Sequence, residues 1–359
     1  MAGWFRQLSA PDVPEGLFRL LPEHGEPEYV VPALGGVVNY NTELVNARLA
    51  WSRTKGEGVR VAVLDTGVPR HKDLRVAGWK SFVRGYDFDE NGHATGVGSI
   101  IAGSGIGGTG IMGIAPGCDV WYGAVMNDCG VGSLSSVADG IRWAVDEVGA
   151  DVVNLSLGTP GAAGCSDEVQ SACEYALGKG AMLVAAAGND GHEVNCPALM
   201  DGVVAVGAVD RKLRMADFSS YGPEVEFVAG GVDVLVAWKG GGYASMSGTS
   251  FSAPVLTGMS ALLISWHRMN GEPADAEHVR LHLREMAVDL GDEGRDEMTG
   301  WGIPVFARGR DSSEAESDGS PRWPKSLRAF LTPIASIAAE CTKSAFSWLK
   351  SFVLATFRR

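Results

Sequence analysis

Four polar residues interrupt otherwise apolar or small-residue sequence. Asp65 closes V-R-V-A-V-L-D, His93 opens H-A-T-G-V-G-S-I-I-A-G, Asn189 follows A-A-A-G, and Ser250 sits in S-G-T-S-F-S-A-P. Acyl transfer from an amide needs a nucleophile, a base to take its proton, a carboxylate to orient that base, and donors for the oxyanion. Ser250, His93, Asp65 and Asn189 offer one of each, in the chain order Asp, His, Asn, Ser. Each also has a plainer reading. A carboxylate at a strand end caps a loop, a histidine before a helix is structural, and a serine at the head of an apolar helix is an N-cap. The joint occurrence is what favours chemistry.

These residues need a frame to hold them. Apolar, β-branched runs at 59–65, 120–126, 151–157, 181–187 and 203–209 read as strands buried on both faces. Amphipathic stretches at 135–150 and 166–180, each opened by Ser and closed near Gly, read as helices between them. The alternation predicts an α/β fold with a mostly parallel central sheet and helices on both faces. In such sheets functional groups gather at the carboxyl ends of the strands. That rule alone selects Asp65, Ser156, Gly158 and Asn189.

The chain has 359 residues, 45% of them hydrophobic, with 49 glycines, which suits a globular protein rich in tight turns. A formal charge of −13 argues against nucleic acid as the main partner. Residues 1–40 are irregular and punctuated by Pro and Gly, 41–308 carry the strand–helix pattern, and 309–324 form an acidic linker. Residues 325–359 have six Lys/Arg against one acid and a three-four apolar spacing after Thr332-Pro333, the pattern of a basic amphipathic helix. That helix suits packing on its own domain, a protein partner, or an anionic membrane surface. The first residues lack the apolar core of an export signal, so the expected location is cytoplasmic, with membrane association through the tail as the variant. The six cysteines show no C-x-x-C pair and are expected to be mostly reduced. A literal G-x-G-x-x-G at 105–110 lacks the strand before and helix after that phosphate binding needs, and reads as a tight crossing loop.

V-A-V-L-D-T-G-V, G-H-A-T-G-V-G-S-I-I-A-G, V-V-N-L-S-L-G, V-A-A-A-G-N, V-G-A-V-D and Y-A-S-M-S-G-T-S-F-S-A-P-V-L-T-G follow one another across about 59–264. In this order they resemble the landmarks of the subtilisin-like serine proteases (subtilases, peptidase S8 type), with features similar to the intracellular subtilisins. The resemblance implies the three-layer subtilisin-like fold and a serine endopeptidase working through an acyl-enzyme. It makes Ser250 the nucleophile, His93 its general base, Asp65 the orienting carboxylate and Asn189 the side-chain oxyanion donor. It assigns Ser156, Leu157, Gly158, Ala187 and Gly188 to the walls of the primary specificity pocket. Gly130, Val131 and Gly132 become the edge strand that pairs with an extended polypeptide substrate. No cofactor is required; calcium at Asp73, in H-K-D-L, is the one candidate ion. Leu20-Leu21-Pro22, within residues 17–25, resembles the short inhibitory leader of the intracellular members. Two departures stand out: H-A-T-G, with Ala94 and Gly96, replaces the usual H-G-T-H, and Phe251 follows the nucleophile where methionine is common. The alternatives are a catalytically silent protein that keeps the peptide groove and, more remotely, an esterase or transacylase using the same triad.

Overall fold

In the computed structural model, which describes residues 17–19, 28–29, 37–105 and 110–307, the apolar runs become strands within a residue or two of their expected ends. A short strand β1 (Leu17–Arg19) comes first. The central strands are β2 (Arg60–Asp65), β3 (Gly78–Ser81) and β4 (Asp119–Ala124). After the short β5 (Val131–Ser133) come β6 (Val152–Leu155), β7 (Met182–Ala186), β8 (Val204–Val209) and β9 (Val225–Gly230). They form a seven-stranded sheet in the order β9-β8-β7-β6-β2-β4-β3, in which every pairing is parallel. After β2 the chain goes to the sheet edge with β3, returns beside β2 with β4, and then crosses to the other side of β2 with β6. The carboxyl end of β2 is therefore a topological switch point, the place where such sheets open a crevice.

Five helices position the site: α1 (His93–Ala102), α2 (Leu134–Asp146), α3 (Asp167–Gly178), α4 (Ala253–Asn270) and α5 (Ala276–Glu285). Ser133 caps α2 by accepting from the Ser136 amide, and Ser166 caps α3 by accepting from that of Val169. Gly271, at φ +69°, ends α4 in the left-handed conformation that glycine adopts without strain.

Neighbouring residues of β4 show how the layers form. A Cβ on Gly98 of α1 would lie 2.1 Å from the Tyr122 hydroxyl, so Tyr122 points at α1. A Cβ on the next residue, Gly123, would meet Trp143 of α2 at 3.3 Å. Successive strand residues face opposite sides of a sheet, so α1 and α2 cover opposite faces. The fold is the expected three-layer α/β arrangement. Among the described residues, no helix is long and apolar enough to cross a membrane.

Strand β9 is the element hardest to anticipate, because Glu226 breaks its apolar run. The carboxylate is 1% exposed and is held by Arg280, at 2.5 Å, and Arg284, at 2.8 Å, both on α5. A strand reached by two guanidinium groups from a distant helix admits a charge that its local pattern forbids.

The cysteine expectation holds for three described thiols and is corrected for one pair. Cys165 and Cys196 are joined in a disulfide. The bond links the loop after the third apolar run to the loop after the fourth, segments that only the fold brings together. Cys118, Cys129 and Cys173 are free thiols. The interior of the G-x-G-x-x-G loop, the Leu20-Leu21-Pro22 segment, the acidic linker and the basic tail lie outside the described residues.

Candidate active site

Asp65 ends β2 at the switch point with no solvent exposure. Its carboxylate oxygens lie 2.8 and 2.9 Å from Nδ1 of His93, the first residue of α1. One of them, Oδ1, also accepts from the Thr66 amide at 2.7 Å. The contact therefore leaves only the opposite imidazole nitrogen, Nε2, for proton transfer.

A second carboxylate fastens the helix that begins at His93. Asp89 accepts from the amides of Gly92 (2.7 Å) and Thr95 (2.8 Å) and from the Thr95 hydroxyl (2.5 Å). Three donors from the first turn of α1 thus converge on one side chain, which fixes where His93 starts. The Thr66 hydroxyl lies between the two acids, 2.8 Å from Asp89 and 3.1 Å from Asp65. Burial raises the Asp89 pKa; the Thr95, Gly92 and Thr66 bonds oppose that rise, and the Asp65 charge adds to it. Sequence reasoning missed Asp89, Thr66 and Thr95. The available signal was local: an acid four residues before His93 and a threonine two after it, around Gly92.

The helix-cap reading of Ser250 gives way to a different local structure. Residues Thr249–Phe251 form one 3-10 turn, and α4 begins only at Ala253, with Ser252 in the cap position. Ser250 is held apart from capping by a reciprocal contact with the end of the third apolar run. Its Oγ donates to the Ser156 carbonyl at 3.4 Å, and the Ser156 hydroxyl donates to the Ser250 carbonyl at 2.9 Å. Asn189 is brought to the same turn. Its Oδ1 accepts from both the amide (2.8 Å) and the hydroxyl (2.7 Å) of Thr249. With the oxygen so engaged, the amide nitrogen turns toward Gly248, where an added Cβ would lie 3.0 Å from it. Gly188 completes the corner: its amide donates to the Thr249 hydroxyl at 3.2 Å, and the Asn195 amide donates to the Ala187 carbonyl at 2.7 Å. Thr249 is a further residue that sequence reasoning missed, and it is what orients Asn189.

Two of the departures, Gly96 in place of the second histidine and Phe251 in place of methionine, turn out to be one. Phe251 is wholly buried, and its ring lies 5.6 Å from that of His93 at an interplanar angle of 56°. A Cβ at Gly96 would stand 3.2 Å from the same ring. The larger side chain after Ser250 fills the space that a side chain at 96 would occupy, and gives the imidazole an aromatic wall. Truncating Phe251 to Ala is expected to destabilise the fold by about 3–5 kcal/mol, read as a lowered urea midpoint in a chain that also carries Ser250→Ala.

Gly130, Val131 and Gly132 lie at the edge strand β5, whose preceding turn is tied by Asn127: its Oδ1 accepts from the amides of Cys129 and Val131 at 3.0 and 3.1 Å. The free edge of β5 is taken by the chain's own β1. The pairing is antiparallel and sets Leu17 opposite Ser133, Phe18 opposite Gly132 and Arg19 opposite Val131.

Two other features bear on the chemistry. Burial pushes the thiols of Cys118 and Cys173 up to about 12, so neither offers a thiolate nucleophile at neutral pH. Asp73, the candidate calcium ligand, has one oxygen bonded to the Tyr243 hydroxyl at 2.8 Å and to the Ile111 amide at 2.9 Å. The His71 imidazole lies 4.0 Å away, and the second oxygen is buried with no partner among the described residues. Calcium takes six to eight oxygen ligands. Among the described residues no group of three His, Cys, Asp or Glu side chains is placed to hold a metal. Among the described residues, the donors around Asp73 hold its carboxylate.

Residues 56–302 match the sequence model of the peptidase S8 subtilase family. The chain is 42% identical over 232 residues to a thermostable alkaline protease of Halalkalibacterium halodurans, covering 64% of this chain and 63% of that one. It is 38% identical over 264 residues to subtilisin DY of Bacillus licheniformis, covering 71% of this chain and 93% of that one. It is 36% identical over 298 residues to the minor extracellular protease Epr of Bacillus subtilis, covering 81% of this chain but only 44% of the relative.

Proposed function

Because the chain belongs to the subtilase family, we propose that it is a serine endopeptidase that cleaves polypeptides through Ser250, His93 and Asp65. The observation that carries this reading is the buried Asp65–His93 pair, 2.8 Å apart, at the switch point of the sheet. In the mechanism, His93 takes the Ser250 proton through Nε2 as Oγ attacks the scissile carbonyl. Asp65 holds the imidazole in the tautomer with its proton on Nδ1 and stabilises the imidazolium that forms. The oxyanion receives the Asn189 amide and the Ser250 backbone N–H. His93 then returns the proton to the leaving amine, and water repeats the sequence on the acyl-enzyme. No organic cofactor enters any step.

Asn189→Ala is expected to lower kcat by about 10²–10³ with little change in KM, because the lost donor acts on charge that develops only in the transition state. Steady-state kinetics on one peptide amide decide it. The overall reading is tested by incubating the chain with a protein substrate and identifying new termini by mass spectrometry. Cleavage is expected from the parent chain and absent from Ser250→Ala; equal cleavage by both overturns the reading. No observation favours the silent binding protein.

The leader is proposed to inhibit. The pairing of β1 with β5 supports this, since the same edge is where a substrate backbone would add as a strand. Deletion of residues 1–25 is expected to raise peptidase activity on a short peptide, and unchanged activity in the purified truncation counts against the leader as inhibitor.

A further inference from the structure

Two segments leave the adjacent ends of β6 and β7 beside Ser250 and meet again at a disulfide. The first starts at Ser156, whose carbonyl accepts from Oγ of Ser250 at 3.4 Å, and reaches Cys165. The second starts at Ala187 and Gly188, where the Gly188 amide donates to the Thr249 hydroxyl at 3.2 Å, and reaches Cys196, bonded to Cys165. Ser156, Leu157, Gly158, Ala187 and Gly188 are the residues that the resemblance places in the walls of the primary specificity pocket. The disulfide therefore ties together the two segments that carry those walls.

Between the walls and the disulfide the segments are sewn edge to edge. Thr159 and Cys196 exchange both backbone bonds, amide to carbonyl, at 3.0 and 3.1 Å. Asn195, 2% exposed, works from the next position. Its amide donates to the Ala187 carbonyl at 2.7 Å, its Oδ1 accepts from the Gly161 amide at 3.0 Å, and its Nδ2 donates to Asp190 at 3.1 Å. One side chain thus reaches both segments, while its own backbone holds a wall residue. The approach is close: a Cβ on Gly161 would lie 2.1 Å from the Val194 carbonyl oxygen. Loops held by backbone bonds open locally at far lower cost than the whole fold. A disulfide keeps its Cα atoms within about 7 Å, here 5.3 Å, so this seam cannot part while the bond is intact.

Resting on the endopeptidase reading of the site, we propose that the Cys165–Cys196 bond, with Asn195 as its inner stitch, determines specificity by fixing the spacing of the pocket walls. Opening the bond relaxes the choice of substrate side chain and leaves the chemistry in place. Asp65 and His93 hold each other, and Asn189 is pinned by Thr249 rather than by the seam. Cys196 is 1% exposed and Cys165 partly exposed, so a dithiol reductant enters at the Cys165 sulfur. Its thiolate forms a mixed disulfide there and expels the Cys196 thiolate. Its second thiol then releases the Cys165 thiolate, and the reductant leaves as a cyclic disulfide. Two electrons pass from the dithiol to the bond, and its two protons end on the sulfurs of Cys165 and Cys196.

The test compares the full chain before and after dithiothreitol on three peptide anilides that differ only in the residue before the scissile bond: Ala, Leu or Phe. Ratios of kcat/KM are read, because a competing leader lowers all three alike. The ratio between the best and the worst peptide is expected to fall about tenfold on reduction. A chain carrying Cys165→Ala and Cys196→Ala is expected to show the relaxed ratio from the start and not to respond to dithiothreitol. Thiol titration of the unfolded chain confirms that the bond was opened. An unaltered ratio, or equal losses on all three peptides as from a bond that only stabilises the fold, overturns the proposal and leaves the endopeptidase reading standing. No Ser250-dependent cleavage of any of the three overturns that reading, and the proposal with it.

Discussion

Replacing Ser250 by alanine is expected to lower kcat for peptide hydrolysis by about 10⁶, with KM nearly unchanged. The size follows from what the substitution removes and what it leaves. It removes the proposed nucleophile, the oxygen that would form the acyl bond. Asn189, pinned by Thr249, and the edge strand stay in place, so binding and the oxyanion donors persist and a residual catalysis of about 10³–10⁴ over water remains. The fold is expected to tolerate the change, because the side chain gives up a single long bond, 3.4 Å to the Ser156 carbonyl. A variant with normal Tm and only a tenfold lower kcat would mean that another group attacks the carbonyl. The buried thiols of Cys118 and Cys173, raised to about 12, are poor candidates for that role.

Asp65→Asn is expected to cost about 10⁴ in kcat, through a tautomer rather than through lost packing. Both oxygens of Asp65 face Nδ1 of His93, and Oδ1 also accepts from the Thr66 amide at 2.7 Å. In the asparagine variant the carbonyl oxygen must stay opposite the Thr66 donor, which sets the amide nitrogen where Oδ2 now lies. A donor then faces Nδ1. The imidazole answers by carrying its proton on Nε2, where the general base needs a lone pair. Asp65→Ala lacks that imposed donor and is expected to lose orientation but not to enforce the wrong tautomer. A comparison of the two variants across pH, at constant peptide concentration, separates these effects. Equal losses at every pH would count against the tautomer argument.

The strands of the central sheet were legible because β2, β6, β7 and β8 are almost wholly buried and mostly apolar, with Arg60 and Asp65 only at the ends of β2 and one polar residue, Asn154, inside β6. β9 was not, because Glu226 owes its place to Arg280 and Arg284, more than fifty residues further along the chain. The same distinction runs through the site. Asp65, His93, Asn189 and Ser250 each sit in a stretch whose composition is unusual by itself. Asp89, Thr66 and Thr249 do not; they matter through bonds to residues placed by the fold. Ser250 itself was read in the right segment with the wrong local geometry, since the 3-10 turn at Thr249–Phe251 delays the helix to Ala253. Phe251 had no account from sequence, because the space it fills is defined by Gly96 on another element. The disulfide was missed for a related reason: Cys165 and Cys196 are thirty-one residues apart and become neighbours only when the ends of β6 and β7 are side by side.

Ser250 is proposed to be a nucleophile activated by His93. Covalent labelling by a fluorophosphonate, followed by peptide mapping, tests it most directly. The parent chain is expected to carry one adduct, on Ser250, formed rapidly at neutral pH, and His93→Ala is expected to form it far more slowly. An unlabelled Ser250 in the folded chain, or an adduct formed equally fast without His93, would contradict the account.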